Sequence, residues 1–420
     1  MWTPAAWRHC ALLEQQPAWP DMQRLHDYME RLAADPPVVT GREVQALRDA
    51  MATVAQGRLF LLQAGDCAEA FTDSPRLAAR RLSHVLRDLA TRLERASGRR
   101  VVLVGRVAGQ FAKPRSSPVD RVGDVVLQPF RGHIVNSPEP DPAGREPDPG
   151  RMVRAYEQSV LAADELRRLP DRIWTSHEAI LLPYEEALCR RDPDSGGWFA
   201  GSGHMLWVGE RTRQPHSAQV EFLSGVGNPV ACKVGPRATA DELVAVCERL
   251  NPDNLDGRFT LIVRLGSSTV LDRLPELVEA VRSAGRRVTW VCDPMHGNTV
   301  TTRYGVRTRP VSAIIGELDA FCRVLHESGT VVGGVHLEMT PDPVTECADA
   351  GVEPYDYDPR PRFTSLMDPR LNPGQARHVI EYLAELLCAE AVQPARASGG
   401  RRPGDCGEPR PYGSENSGDR

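Results

Sequence analysis

Lysine is nearly missing from this chain. Of its 51 basic residues only Lys113 and Lys233 are lysines, which leaves 49 arginines. Arginine is the default cation, so each lysine marks a place that calls for a compact ammonium rather than a planar fork. Both lie in short segments bounded by Gly or Pro, AKPRS and CKVGP. Long apolar runs are missing too. None approaches the roughly 20 residues needed to cross a bilayer, which argues against a membrane partner. The opening residues, MWTPAAWRHC, lack a basic segment followed by an apolar one, so no signal peptide is expected. The ten cysteines show no even spacing. With no export signal, they are expected as reduced thiols of a cytoplasmic protein rather than as a disulfide framework. No basic block occurs outside the C-terminal tail and the net charge is -5, which argues against a nucleic-acid partner. Neither CxxC nor HExxH spacing occurs, so any metal site has to be assembled by the fold.

What remains is an ordinary globular composition, 41% apolar over 420 residues, enough for one large barrel with extensions. Residues 20–34 place Met22, Leu25, Tyr28, Met29 and Leu32 on one helical face. Residues 41–56 do the same with Val44, Leu47, Met51 and Val54, beyond the Pro36-Pro37 break. Residues 1–58 are therefore read as a helical extension. From residue 59 short apolar runs alternate with helical segments such as 76–97 and 239–250. The runs cover 59–67, 101–109, 173–179, 204–212, 229–236, 259–266, 287–297 and 331–340. Eight strand-helix repeats predict an α/β fold, a (β/α)8 TIM barrel over 59–392. The interval from Arg106 to His177 is longer than the others and reads as a loop with a hairpin at the barrel mouth. Residues 393–420, rich in Gly, Pro, Arg and Ser, are expected to be a disordered tail.

Each run ends in polar residues: Asp66 and Cys67, Arg106, His177 and Glu178, Glu210 and Arg211, Lys233, Arg264, Asp293 and His296, and Glu338. In such a barrel all strand C-termini meet at one mouth, where active sites are built. Cys67, His296 and Glu338, with Asp368 from MDPRLN, form a candidate ligand set for a divalent metal. A thiolate, an imidazole and carboxylates together suit manganese, iron, cobalt or zinc better than magnesium or calcium. Arg106, Lys113, Arg115, Arg211, Lys233 and Arg264 form a cationic set. Fixed cations around one cavity repel each other unless anions balance them, either acids such as Glu178 and Glu210 or a bound phosphate or carboxylate. Metal and polyanion sites together imply Lewis-acid chemistry on a phosphorylated carbonyl compound.

Ten motifs in order carry a resemblance that is more specific. LLQAGDCAEAF, GRVAGQFAKPRS, TSHEAILLPYEEAL, HMLWVGERTRQ, GNPVACKVGP, LNPDNLDGRFTLIVRLG, WVCDPMHGNT, GGVHLEMT, VTEC and MDPRLN, together with QQPAWPD near the start, resemble type II (plant-like) DAHP synthases from about residue 15 to 390. DAHP is 3-deoxy-D-arabino-heptulosonate 7-phosphate. The resemblance implies a transferase that joins phosphoenolpyruvate to erythrose 4-phosphate with release of phosphate, the first step of the shikimate route to aromatic compounds. It implies Cys67, His296, Glu338 and Asp368 as ligands of a divalent metal, manganese first and cobalt, iron or zinc after it. It implies Arg106, Glu210, Arg211, Lys233 and Arg264 around phosphoenolpyruvate. Lys113, Arg115, Arg131, His133 and Asn136 fall near the sugar phosphate. Glu210, Lys233, His296 and Glu178 are the expected catalytic residues, with Glu210 ahead of Glu178 as proton acceptor. The N-terminal helices would serve a homodimer or higher homo-oligomer.

Three departures stand out. Where the family usually reads Arg-Gly-Asp, this chain has Arg131-Gly132-His133, which keeps open an aminoDAHP synthase using an amino or imino analogue of the sugar. Met367 replaces a cysteine common in the family. The interval between the second and third strands, though the longest in this chain, is short beside that of long family members and lacks their inserted helices that bind aromatic amino acids, which implies weak or no feedback and a role in secondary metabolism. A reading of another class, an inactive regulatory paralogue, is opposed by the intact ligand and cation sets.

Overall fold

The computed structural model describes residues 2–392, and the expected tail at 393–420 lies outside them. Helix α1 (Met22–Ala34) starts at Asp21, whose side chain accepts from the Arg24 N–H. Helix α2 (Gly41–Ala55) starts in a capping box in which the side chains of Thr40 and Glu43 each accept from the other's backbone N–H. Val44, Leu47, Met51 and Val54 of α2 are all buried, the same stripe that the sequence periodicity gives.

Eight strands follow: β1 (Leu59–Gly65), β2 (Arg100–Arg106), β3 (Ile173–Glu178), β4 (Met205–Val208), β5 (Val230–Val234), β6 (Phe259–Val263), β7 (Thr289–Cys292) and β8 (Val332–Glu338). All pair in parallel and close on themselves, each with its neighbour in sequence and β8 with β1. The fold is a TIM barrel. Outer helices include α3 (Pro75–Ser97), which begins with proline at its first position and ends at Gly98 with φ 69°. Between β2 and β3 a hairpin (Asp120–Val122 with Val125–Leu127) and a helical turn (Pro142–Arg145) precede α4 (Gly150–Arg167). The hairpin expected in this interval is present, but the rest is not the loop expected there, because α4 occupies its second half. The buried face of α4 carries Gln158, Ser159 and Glu165, so no clean apolar stripe announces it. The last outer helices are α5 (Val311–Glu327) and α6 (Pro373–Val392).

The barrel interior is divided along its axis. Leu47, Met51 and Val54 of α2 plug the N-terminal end against Leu61, Val102, Trp174, Met205, Ile262 and Val291. Toward the C-terminal end the buried side chains become polar: Gln63, Ser176, Lys233, His336, Arg106 and Glu338. Burying so many polar groups is tolerable only if each has a partner.

Candidate active site

The polar end opens into a cavity of about 970 Å³ at the strand C-termini. Arg106 ends β2 and lines it. Its buried guanidinium donates from Nε to the Asp66 carbonyl (2.8 Å) and from Nη2 to Glu338 Oε1 (2.8 Å) and the Cys67 carbonyl (3.1 Å). Cys67, Glu338 and Asp368 bring one donor atom each to within 4.8 Å of one another. The fourth expected ligand, His296, stands beside them with Nε2 3.1 Å from Glu338 Oε1. Its Nδ1 faces Asp293 Oδ2 at 2.8 Å, an arrangement that fixes the imidazole and leaves Nε2 for a cation.

This donor set fits a divalent metal. Lys113 shows that a cation is welcome there: its Nζ lies 3.0 Å from Cys67 Sγ, 2.9 Å from Glu338 Oε1 and 3.3 Å from Asp368 Oδ2. Burial and the neighbouring Glu338 push the Cys67 thiol up to about 12, so a strong positive charge is needed to hold it as thiolate. Burial alone would raise Glu338 and Asp368. For Glu338, His296 and Lys113 outweigh it, and for Asp368, Lys113 and Arg309 do, so both carboxyls stay ionised below the usual range.

The cations extend along the same wall. Lys233 pairs with the buried Asp293, and burial lowers its ammonium to about 8. Arg264 Nη2 donates to the His296 carbonyl at 2.7 Å. Arg211 meets the Ser116 hydroxyl, and Arg115 reaches Asp120 at 2.6 Å. Arg237, Arg307 and Arg309 also line the cavity, and the sequence reading missed all three. Arg307 pairs with Asp368 (2.6 Å) and Arg309 with Glu338 (2.6 Å).

The two candidate proton acceptors differ. The Glu210 carboxylate is committed, since Oε2 accepts from the Gly235 N–H (2.7 Å) and from Arg213 Nε (3.1 Å). Glu178 also lines the cavity, but its Oε1 accepts no hydrogen bond from the protein. Burial raises its carboxyl, with Lys113 and Lys233 pulling the other way. Gly209 makes room for it, because a Cβ there would lie 2.1 Å from Glu178 Oε1.

Residues 2–172 and 170–384 match the family model described as the class-II DAHP synthetase family. The chain belongs to this family. A Pseudomonas fluorescens relative, called a probable phospho-2-dehydro-3-deoxyheptonate aldolase, is 44% identical over 86% of this chain and 92% of its own length. A Streptomyces coelicolor relative with the name phospho-2-dehydro-3-deoxyheptonate aldolase is 37% identical, covering 89% of this chain and 94% of itself. A solved structure of the Francisella tularensis protein of that name shares the fold. Its TM-score is 0.55 at 16% identity, over 86% of this chain and 96% of that one.

Within this class-II chain several expected residues stand away from the cavity wall. His177 turns outward, its Nε2 2.8 Å from Glu185 Oε1. Asn136 is a buried staple, donating to the Pro129 and Arg145 carbonyls and accepting from the Arg131 N–H. Arg131 reaches Gln15 Oε1 at 3.3 Å. His133 packs against Phe71 and Phe130, with ring centroids 5.1 and 5.6 Å away. None of these is among the residues that line the cavity. The side chain of Met367 does line it, 3.4 Å from Arg115 Nη1. No helix of the described residues is long and apolar enough to cross a membrane.

Proposed function

We propose that this protein is a DAHP synthase acting on phosphoenolpyruvate and erythrose 4-phosphate. One observation carries the reading. The thiol-imidazole-carboxylate cluster meets the ring of cations at one cavity: His296, Asp368 and Lys113 line it, and Cys67 and Glu338 lie buried directly behind, in contact with the Lys113 ammonium. A divalent metal held by Cys67, His296, Glu338 and Asp368, manganese before cobalt, iron or zinc, would polarise the aldehyde oxygen when bound.

The chain's own side chains do the rest. Arg106, Arg211, Lys233 and Arg264 hold the phosphate and carboxylate of phosphoenolpyruvate, and Lys113 and Arg115 hold the sugar phosphate. Held this way, C3 of phosphoenolpyruvate forms its bond to the aldehyde carbon, whose oxygen becomes an alkoxide and takes up a proton from water in the cavity. The positive charge left at C2 is met by water, and the Glu178 carboxylate takes one of the water's protons. The C2–O bond of the phosphate ester then breaks, the hydroxyl left at C2 gives its proton to the departing phosphate, and the ketone forms. Glu178 suits the acceptor role because its oxygen is uncommitted and burial raises its basicity. Glu210 is bound by fixed donors and acts instead to place Arg213 and the Gly235 turn.

The test is loss of phosphoenolpyruvate on incubation of manganese-loaded protein with erythrose 4-phosphate, beside phosphate release. Equal rates of loss and release, both abolished by chelator and restored by metal, are the expected result. Folded, metal-bound protein that consumes no phosphoenolpyruvate would overturn the proposal.

A further inference from the structure

We infer that His336 is a positioning residue for phosphoenolpyruvate, holding the Arg106 guanidinium in its binding orientation as a neutral acceptor of fixed tautomer. The inference rests on the proposed role of Arg106 and extends it to a residue outside the cavity wall.

His336 lies within β8, two residues before Glu338, and its side chain points into the barrel interior, fully buried. Its Nε2 is 2.6 Å from Arg106 Nη1 and its Nδ1 is 2.8 Å from Gln63 Oε1. Arginine can only donate, so Nε2 must be the lone-pair nitrogen and the ring proton must sit on Nδ1. That proton is donated to Gln63 Oε1, which turns the Gln63 amide so that its Nε2 donates to Ser176 Oγ at 2.9 Å. The Ser176 hydroxyl then donates to the Gly105 carbonyl at 3.0 Å. Each group in this chain from β2 through β3, β1 and β8 back to β2 has one role and no freedom to exchange it. The chain ends on the residue before Arg106, so the backbone and the guanidinium of Arg106 are tied to one network.

The consequence falls on the guanidinium plane. With Nε on the Asp66 carbonyl, Nη2 on Glu338 and the Cys67 carbonyl, and Nη1 on His336, every nitrogen of Arg106 is held. Beneath lies the Trp207 ring, 5.2 Å from Arg106 Cζ and 5.9 Å from Lys233 Nζ, with His336 edge-on to the same ring at 5.5 Å. A planar fork recognises an oxyanion only in a set orientation, so the in-plane acceptor at Nη1 decides how the remaining N–H presents to the cavity. Removing that acceptor leaves a buried N–H without a partner, and the plane has to turn to find one.

The test uses the manganese-loaded full chain and compares His336→Leu, His336→Gln, Gln63→Leu and Arg106→Lys. Glutamine can place its oxygen where Nε2 stands, whereas leucine cannot. Gln63→Leu keeps the imidazole but frees its tautomer. The readouts are the phosphoenolpyruvate dissociation constant by calorimetry, and kcat with both KM values by the loss assay. Expected are a rise of at least about tenfold in the phosphoenolpyruvate constant for His336→Leu and Gln63→Leu, a smaller change in kcat, an unchanged KM for erythrose 4-phosphate, and recovery to within about threefold in His336→Gln. Gln63→Leu serves alone if His336→Leu fails to fold. Arg106→Lys weakening phosphoenolpyruvate while both leucine variants bind it normally overturns the inference and leaves the Arg106 reading intact. Equal damage to both KM values, or no recovery with glutamine, also overturns it. Normal binding by Arg106→Lys overturns the reading of Arg106 itself, and the inference with it.

Discussion

At the scale of the single residue, the choice between two glutamates is made by what each already holds. Glu210 ends its run of apolar residues in the sequence with the same prominence as Glu178, and nothing in their spacing ranks them. The fold ranks them, because Arg213 and the Gly235 amide occupy one carboxylate and leave Glu178 Oε1 free. Replacing Glu178 by Gln should lower kcat by about 10²- to 10⁴-fold with little change in phosphoenolpyruvate affinity. The raised carboxyl gives the wild-type profile a direction. A base works only when deprotonated, so kcat falls as pH drops through a value above the ordinary carboxylate range. In Glu178→Gln that acid limb should vanish from the residual rate. A variant with full turnover and an unchanged limb returns the role to Glu210. The gathering of Cys67, His296, Glu338 and Asp368 was legible because each sits at a strand end or in a short motif, and three of them come within 4.8 Å with His296 alongside. Arg307 and Arg309 were not, because Arg307 lies in, and Arg309 just after, a hairpin of two-residue strands, Val300–Thr301 with Arg307–Thr308, that has no periodicity to place it. His336 was equally hidden, since one residue of register decides whether a strand side chain points into the barrel or out.

At the scale of the element, α2 does the work of a floor. A barrel with one polar end needs its other end closed by apolar surface, and Leu47, Met51 and Val54 supply it. This was legible as an amphipathic stripe, but the sequence could not say that the stripe enters the barrel bottom rather than covering its side. The buried Glu317 of α5 has a matching role at the mouth. It accepts from the Leu265 and Gly266 N–H groups (2.8 Å each) and from Asn298 Nδ2 (2.7 Å), tying the turn after Arg264 to the turn after His296. Floor and mouth are therefore separable. Leu47→Ala should cost about 2–5 kcal/mol of stability, as for other fully buried leucines, with kcat and both KM values near wild type. The urea midpoint and a steady-state assay on the same preparation check it. A loss of activity matching the loss of stability would mean that floor and site are coupled.

At the scale of the whole molecule, charge is distributed against the average. The chain carries a net charge of -5. Yet the cavity is lined by nine Lys or Arg side chains and only four carboxylates, Glu14, Glu178, Glu210 and Asp368. Several of the cations are paired, but the pairs sit inside the mouth, where the low-dielectric walls screen them less than surface pairs. Cations gathered at one mouth of a chain that is negative overall favour the approach of small phosphorylated anions to that point. The scarcity of lysine belongs to the same economy of placement. Arginine covers the surface, and both ammonium groups lie in the cavity, one at the thiol-carboxylate cluster and one on Asp293. If steering by this field matters, kcat/KM for phosphoenolpyruvate should fall by about an order of magnitude between 0.05 and 0.5 M KCl, as the screening length shrinks from well above about 10 Å to well below it. The loss should appear in KM, with kcat nearly constant, because chemistry inside the closed pairings does not feel bulk salt. Steady-state rates across that range decide it. A flat kcat/KM would show that the cations act only by contact, and a falling kcat would show that salt reaches the pairs themselves.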